Sequence, residues 1–389
     1  MKDSLQILIR KLIHLVFHSF YIFPIKSNRI FFSSYDANQY YNCNPKYISE
    51  HLNSNYKGKY EMIWSFANPL KYKELGYIKP VKKHSLLWCY YLLTSHIIIL
   101  NTNPDTFIPK RKGQYVINTW HAGGAYKTVG FSKNNISKLD LWRSSVAANY
   151  IDLYLSSSKA FTESNIKGYR YNGRILKSGM PRNDIFFNEE VYLKIRQTVR
   201  TNYNITDDYV IILYAPTFRG GVRDSKTRSV NLPYNKIPQK ILNKKVKIFV
   251  REHYNEHRNQ KQADNVIDVS SHPEMQELLC AADILITDYS SSIWDFAITG
   301  KPCFLFVPDL SEYMTKDRGF FIPIEKWPGI ICGTEDELIS NLENINLGKS
   351  KTISENHLKY MESYEDGTAT KQVSDLIVLL TEKKGREFL

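Results

Sequence analysis

The chain has 389 residues, 43% of them hydrophobic and 23% charged, which excludes a disordered protein and suits two domains of ordinary size. Its 52 Lys and Arg against 39 Asp and Glu give a net charge of +13, so its partners are expected to be polyanions: nucleic acid, anionic lipid or phosphate-rich substrates. Five scattered cysteines (Cys43, Cys89, Cys280, Cys303 and Cys332) form no CxxC pair, which argues against a disulfide framework or a structural zinc site.

Residues 5–23 are strongly apolar but carry Arg10 and Lys11, and they fall short of the roughly 20 uninterrupted apolar residues of a spanning helix. No small-residue cleavage site follows, so a retained element is expected rather than a signal peptide. As a helix the segment puts Leu5, Leu8, Leu12, Leu15 and Val16 on one side, near Ile9. Such a helix either lies in the headgroup layer of a membrane or packs on its own protein.

After Pro24, short apolar runs alternate with amphipathic stretches. Strands are expected at 29–32, 60–66, 96–100 and 114–120, with helices at 45–52 and 85–94 between them. The rhythm restarts after residue 185, with strands at 209–214, 246–250, 284–287 and 303–306. Between the two runs, Gly179-Met180-Pro181-Arg182-Asn183-Asp184 reads as a connection. Strands separated by helix-length segments imply an α/β fold of two doubly wound parallel sheets, with ligands at the carboxyl ends of the strands.

Four strand ends carry chemistry. The first is Asn118-Thr119-Trp120-His121-Ala122-Gly123-Gly124-Ala125-Tyr126-Lys127, where a histidine able to move a proton near neutral pH precedes two glycines. The glycines suit close approach to a phosphate or a sharp turn. The bland alternative is a histidine bonded to its own backbone. The second is Thr287-Asp288-Tyr289-Ser290-Ser291-Ser292, a hydroxyl-rich turn entering a helix, which serves either as a phosphate cradle or as ordinary N-capping. The third, Arg251-Glu252-His253-Tyr254, offers Arg251 for bidentate phosphate contact, or for a plain surface ion pair, with His253 to offset leaving-group charge. The fourth, Ala215-Pro216-Thr217-Phe218-Arg219-Gly220-Gly221, adds Arg219. No DxD-like pair stands at a strand end, so no tightly bound metal is expected, magnesium being compatible with the chemistry but not indicated, and no tightly bound cofactor is expected either.

In this order, together with Arg318-Gly319-Phe320-Phe321, these motifs resemble the CDP-glycerol glycerophosphotransferases of teichoic-acid synthesis, the TagB/TagF-type enzymes, from about residue 25 to 370. The resemblance implies a GT-B-like fold of two Rossmann-like domains facing a cleft. The expected boundaries are a membrane-associating segment at 1–24, an acceptor domain at 25–184 and a CDP-polyol domain at 185–389, the last helix being free to pack back on the acceptor domain. It implies His121 and His253 as catalytic histidines. Donor and phosphate contacts fall to Arg219, Arg251, Glu277, Asp288, Ser290, Ser291, Ser292 and Arg318, with Glu277 facing the ribose. Trp120, Gly123, Gly124 and Lys127 fall on the acceptor side. The implied donor is CDP-glycerol, the implied acceptor is lipid-linked or glycerophosphate-primed, and the implied location is the cytoplasmic face of the bacterial membrane. Ala122-Gly123-Gly124-Ala125 departs from the His-Gly-Thr-Pro form of the polymerases and is closer to a primase-like form, which leaves acceptor and chain length open. Alternatives are a CDP-ribitol donor or a GT-B transferase using a nucleotide sugar. A nucleic-acid-binding role is disfavoured, since the cations are spread along the chain instead of interleaved with aromatics on one element.

Overall fold

The computed structural model describes residues 2–35, 40–133, 136–217, 230–251, 264–316 and 319–382. The chain divides into two compact units: residues 1–121, 129–184 and 364–389 form the first, and 122–128 with 185–363 form the second. The chain changes units after His121, after Thr128, after Asp184 and after Ser363.

In the first unit β1 (Lys26–Ser33), β2 (Glu61–Phe66), β3 (Ile78–Lys82), β4 (Ser95–Leu100), β5 (Tyr115–Asn118), β6 (Leu153–Ser156) and β7 (Arg174–Lys177) form one parallel sheet in the order β3-β2-β1-β4-β5-β6-β7. Helices α1 (Lys2–Phe17), α2 (Cys43–Asn55), α3 (Leu86–Thr94), α4 (Lys138–Tyr150) and the single turn α5 (Lys159–Phe161) belong to it. The run Ile97-Ile98-Ile99 is apolar throughout because both sheet faces are covered. Ile97 and Ile99 join Trp64 and Leu52 in one core layer, while Phe31, on the opposite face, packs edge-on against Trp88 of α3.

The second unit carries α6 (Glu189–Asn202), β8 (Tyr209–Ala215), β9 (Lys240–Ile241), β10 (Lys244–Val250), β11 (Val266–Asp268), α7 (Met275–Ala281), β12 (Ile284–Thr287), α8 (Ser292–Ala297), β13 (Cys303–Phe306), α9 (Leu310–Lys316), β14 (Ile330–Cys332), α10 (Glu335–Glu343) and α11 (Leu347–Tyr360). Its sheet order is β11-β10-β8-β12-β13-β14, all parallel, with β9 antiparallel beside β10. Counting those six parallel strands from β8 gives the order 3-2-1-4-5-6 of a dinucleotide-binding sheet, and the first unit shows the same reversal with one strand more. The sheet reverses between β1 and β4 in one unit and between β8 and β12 in the other. These are the switch points where such folds bind ligands.

The last helix, α12 (Ala369–Thr381), returns to the first unit, where Val373, Ile377 and Leu380 join the core layer around Trp64. Its return is fixed by the segment read from the sequence as a plain connection. Asp184 caps the start of α12 by accepting the Ala369 and Thr370 N–H groups at 3.1 and 2.7 Å. Glu365 accepts the Met180 N–H and the Asn183 amide, each at 3.0 Å. Gly179 stands at φ +80°, where a Cβ would also lie 2.6 Å from the Glu365 carboxylate, so glycine is required there.

Helix α1 continues into a 3-10 turn, His18–Ile22, and Asp3–Ile22 is long and apolar enough to cross a membrane by length and composition. Leu5, Leu8, Ile9, Leu12, Leu15 and Val16 are exposed, while Asp3 accepts the Leu139 N–H at the start of α4. All five cysteines are buried and unbridged.

Candidate active site

His121 lies over the switch point of the first sheet. Its Nδ1–H donates to the carbonyl of Asn101, the residue after β4, at 2.7 Å. This fixes the tautomer with the basic lone pair on Nε2, the arrangement a general base needs. The ring stacks on Tyr35, which follows β1, at 5.4 Å and 21°, and on Trp120 at 4.7 Å and 30°. Tyr35 also lines a cavity of about 280 Å³ with Ser33, Leu100, Phe31 and Trp88. Lys83 is on the same wall, and burial pulls its ammonium below the ordinary lysine range.

The backbone around His121 is held from several directions. Trp120 is in the left-handed region at φ 52°, a costly conformation for a bulky residue, which persists where surroundings over-determine it. Asn118 accepts the Trp120 N–H at 2.8 Å. The Asn44 amide donates to the carbonyls of Thr119 at 3.1 Å and Trp120 at 2.9 Å. Arg182 donates from Nη1 to the His121 carbonyl at 2.7 Å, and its own N–H goes to Asn44 Oδ1 at 3.1 Å. Asn44 and Arg182 are buried at 0% and 3% exposure, so solvent does not compete with these bonds. Tyr35, Asn44 and Asn101 were not singled out from the sequence, and Asn118 and Arg182 stood in its motifs without an assigned role. Their partners lie far along the chain, and only the polar strand end Asn118-Thr119 hinted at such a network.

In the second unit the predicted strand-end groups fall on adjacent strands. Arg251 follows β10, Thr217 lies just past β8, and Asp288 to Ser292 follow β12, with β8 between the other two. Arg251 presents a buried Nη1 with no hydrogen-bond partner, and among the described residues no carboxylate pairs with it. A buried guanidinium nitrogen left unsatisfied is costly unless an anion meets it, which suits Arg251 to a phosphate contact. Ser290 Oγ accepts from the Ser292 N–H at 3.3 Å and the Ser292 hydroxyl at 3.0 Å, keeping its own proton to donate. Ser291 is half-buried and precedes α8, which has only six residues and therefore a weaker terminal dipole than the sequence suggested.

Two donor-side candidates have partners within the protein. Asp288 Oδ1 accepts the N–H groups of Thr217 at 2.8 Å and Tyr289 at 2.5 Å, and the first of these bonds ties the β8 strand end to the β12 strand end. Glu277 takes His272 Nε2 at 3.0 Å. His253, Arg219 and Arg318 lie outside the described residues. Among the described residues no three His, Cys, Asp or Glu side chains converge as a metal-ligand set.

The loop after His121 packs within the second unit. A Cβ on Gly123 would lie 2.0 Å from Trp294 Cδ1, and one on Gly124 would lie 2.0 Å from the Tyr126 ring. Close packing against the Trp294 and Tyr126 rings requires glycine at both positions. Tyr126 donates its hydroxyl to His357 Nε2 at 2.9 Å, and His357 Nδ1–H donates to the Lys326 carbonyl at 2.7 Å. Burial pushes the His357 pKa down to about 4, so the ring is neutral and able to accept. Lys127 pairs its backbone with Phe320 and holds its ammonium 5.6 Å over the Tyr313 ring. The acceptor-side candidates therefore divide, Trp120 with the first unit and Gly123, Gly124 and Lys127 with the second.

Residues 15–379 match the family model described as CDP-Glycerol:Poly(glycerophosphate) glycerophosphotransferase. The chain is 29% identical over 346 residues to a teichoic acid poly(glycerol phosphate) polymerase of Bacillus subtilis, covering 83% of this chain and 44% of that one. It is 29% identical over 390 residues to the protein of the same description from Bacillus spizizenii, covering 94% of this chain and 96% of that one. A teichoic acid ribitol-phosphate primase of Bacillus spizizenii is 26% identical, with 92% of each covered. Among solved structures, a histidine-to-asparagine variant of the wall teichoic acid polymerase TagF, soaked with CDPG, superposes with a TM-score of 0.81 at 26% identity, covering 93% of this chain and 91% of that one. The fold is thus GT-B-like α/β, as the motifs implied.

Proposed function

The chain belongs to the CDP-glycerol:poly(glycerophosphate) glycerophosphotransferase family, and from that premise we propose that it moves glycerol phosphate from CDP-glycerol to a hydroxyl of a membrane-linked acceptor, releasing CMP, in teichoic-acid or related phosphopolymer synthesis. The observation that carries this reading is the pair of switch points. One holds an oriented histidine, and the other gathers an unsatisfied arginine and serine hydroxyls. The first set suits a base and the second suits a diphosphate.

The acceptor hydroxyl oxygen attacks the phosphorus that bears the glycerol. A new P–O bond forms there, the bond from that phosphorus to the bridging oxygen breaks, and CMP leaves with the electron pair. His121 Nε2 takes the acceptor proton. Arg251, Ser290 and Ser291 offset charge on the diphosphate as it moves onto CMP, in chemistry that depends on positioning and electrostatics. His253, Arg219 and Arg318 keep the donor-side roles implied by the family motifs. CDP-glycerol is a substrate in this scheme, and no resident cofactor is invoked. Tyr35 and Trp120 hold the imidazole plane, and the cavity beside Tyr35 is assigned to the acceptor. The exposed apolar side of α1 supports a peripheral position on the cytoplasmic membrane face.

A CDP-ribitol donor is the second reading, favoured by the likeness to a ribitol-phosphate primase. The test is CMP release by purified protein given CDP-glycerol and a glycerophosphate-primed acceptor. His121→Ala should lower the rate by about 10²–10⁴-fold, the usual contribution of a positioned base. A rate near that of the unaltered protein would remove His121 from the mechanism.

A further inference from the structure

Arg10 is the anomaly of α1. It sits in the middle of an apolar helix, yet it is only 5% exposed. Its contacts are the Thr106 hydroxyl, reached by Nη1 at 3.2 Å, and the Phe107 ring, whose centroid lies 3.5 Å from Cζ. Among the described residues no carboxylate pairs with it directly, and burial and the neighbouring Arg143 charge disfavour its ionised form while the Asp105 charge offsets them in part. Arg10, Arg143 and Lys133 line one cavity of about 430 Å³ in the first unit. Asp105 and Asp140 line it too, but both already have partners. Asp140 pairs with Arg143 at 3.2 Å and accepts from Ser137 at 2.9 Å, and Asp105 pairs with His84 at 3.2 Å and accepts the Phe107 N–H at 3.0 Å. The cavity therefore holds a buried cation, Arg10, whose charge Asp105 offsets in part but which no carboxylate among the described residues meets directly.

Its surroundings say which anion fits. On one side it is walled by α1, whose other side exposes Leu5, Leu8, Leu12, Leu15 and Val16. On the other side it is walled by Tyr169, which packs edge-on against Trp120 at 5.3 Å, and by Asn103, two residues from the carbonyl that orients His121. A molecule filling it would have an apolar end toward α1 and a polar end toward Trp120 and His121.

We propose that the cavity between α1, α4 and the 103–107 loop binds the phosphoryl group of a membrane lipid, with Arg10 and Arg143 as its principal ligands and Lys133 as a third cation. The proposal rests on the reading that the acceptor is lipid-linked. It adds that the enzyme grips the acceptor by its lipid-side phosphate, so that the distal hydroxyl is presented at His121. Arginines suit this task because the guanidinium fork matches phosphate oxygens and stays charged when partly desolvated.

Binding is measured without turnover, so failure here is distinguishable from failure of the transferase reading. Purified full-length protein is cosedimented with phosphatidylcholine vesicles, with the same vesicles containing a few per cent polyprenyl phosphate, and with vesicles carrying phosphatidylglycerol at matched charge. Polyprenyl phosphate should tighten partition by about tenfold over phosphatidylcholine alone, the equivalent of about 1.4 kcal/mol. The variant R10Q/R143Q should lose that gain while still partitioning onto phosphatidylcholine through its apolar side. An equal gain with phosphatidylglycerol, also lost in the variant, would support a site for lipid phosphate in general, and a gain confined to polyprenyl phosphate would support one for the terminal phosphate. In case the double variant misfolds, soluble pyrophosphate added to the unaltered protein should reverse the gain, and sulfate at equal ionic strength should not. A gain that survives both the substitutions and pyrophosphate overturns the proposal.

Discussion

Lowering the pH from 7 to 4 should weaken the second unit through His357. The residue is 4% exposed, donates from Nδ1 to the Lys326 carbonyl and accepts the Tyr126 hydroxyl at Nε2. Burial depresses its pKa from 6.5 to about 4 in the folded chain. The unfolded chain therefore takes up a proton below pH 6.5, and the folded chain does so only near pH 4. Its stabilising effect is whole above pH 6.5 and is lost as the pH falls through the window between the two values. At 1.36 kcal/mol per pH unit the loss is about 3 kcal/mol. Protonation also removes the acceptor for Tyr126, the anchor of the loop that follows His121. Urea unfolding followed by tryptophan fluorescence, at intervals from pH 7 to 4, measures this when the protein is compared with His357→Leu. Carboxylates titrate in both proteins and cancel in the difference. The variant should be less stable at pH 7 by roughly 2–4 kcal/mol, because the Tyr126 hydroxyl and the Lys326 carbonyl lose their partner. That gap should close by about 3 kcal/mol toward pH 4. A gap that stays constant over the range would refute a buried neutral histidine.

Gly123→Ala should cost about 1–3 kcal/mol, seen as a lower Tm, because the added carbon meets a fully buried Trp294 ring that has no room to retreat. Full stability with lost activity would instead point to a ligand against that glycine. Ser290→Ala and Ser291→Ala should each raise KM for CDP-glycerol by about tenfold, the loss of one hydrogen bond to a charged oxygen. Unchanged donor kinetics in both would remove the serines from the phosphate site. Ile377→Ala should destabilise the first unit by about 2–5 kcal/mol in denaturant titration, since the side chain is fully buried in the core layer around Trp64. A change within error would mean that α12 is dispensable to that core.

The parallel sheets were legible because fully covered strands read as unbroken apolar runs. Ile284–Thr287 and Cys303–Phe306 have the bounds the sequence suggested. Other strands gave no such signal. Arg174–Lys177 has charged ends and is only partly buried at the sheet edge, and Ile78–Lys82 contains a proline and two lysines. The division into units was legible at Asp184 but not at His121, Thr128 or Ser363, where changes of unit depend on tertiary contacts such as Tyr126 with His357 and Glu365 with Asn183. The same holds at the site. His121 and the serines stand at strand ends and could be picked out. Asn44 and Arg182 act from 76 and 61 residues away, where no local pattern reports them. Asp288 stands in the legible motif, and what no local pattern reports is that its Oδ1 accepts the Thr217 N–H and so links two loops.

The central claim is tested most directly by a donor comparison on the purified protein. CDP-glycerol, CDP-ribitol and a UDP-sugar are offered with the same lipid-linked acceptor, and the released nucleotide and transferred group are quantified together. CMP should be released in a one-to-one ratio with glycerol phosphate joined to the acceptor. Release of UDP with a transferred sugar, and no CMP from either CDP-polyol, would contradict it.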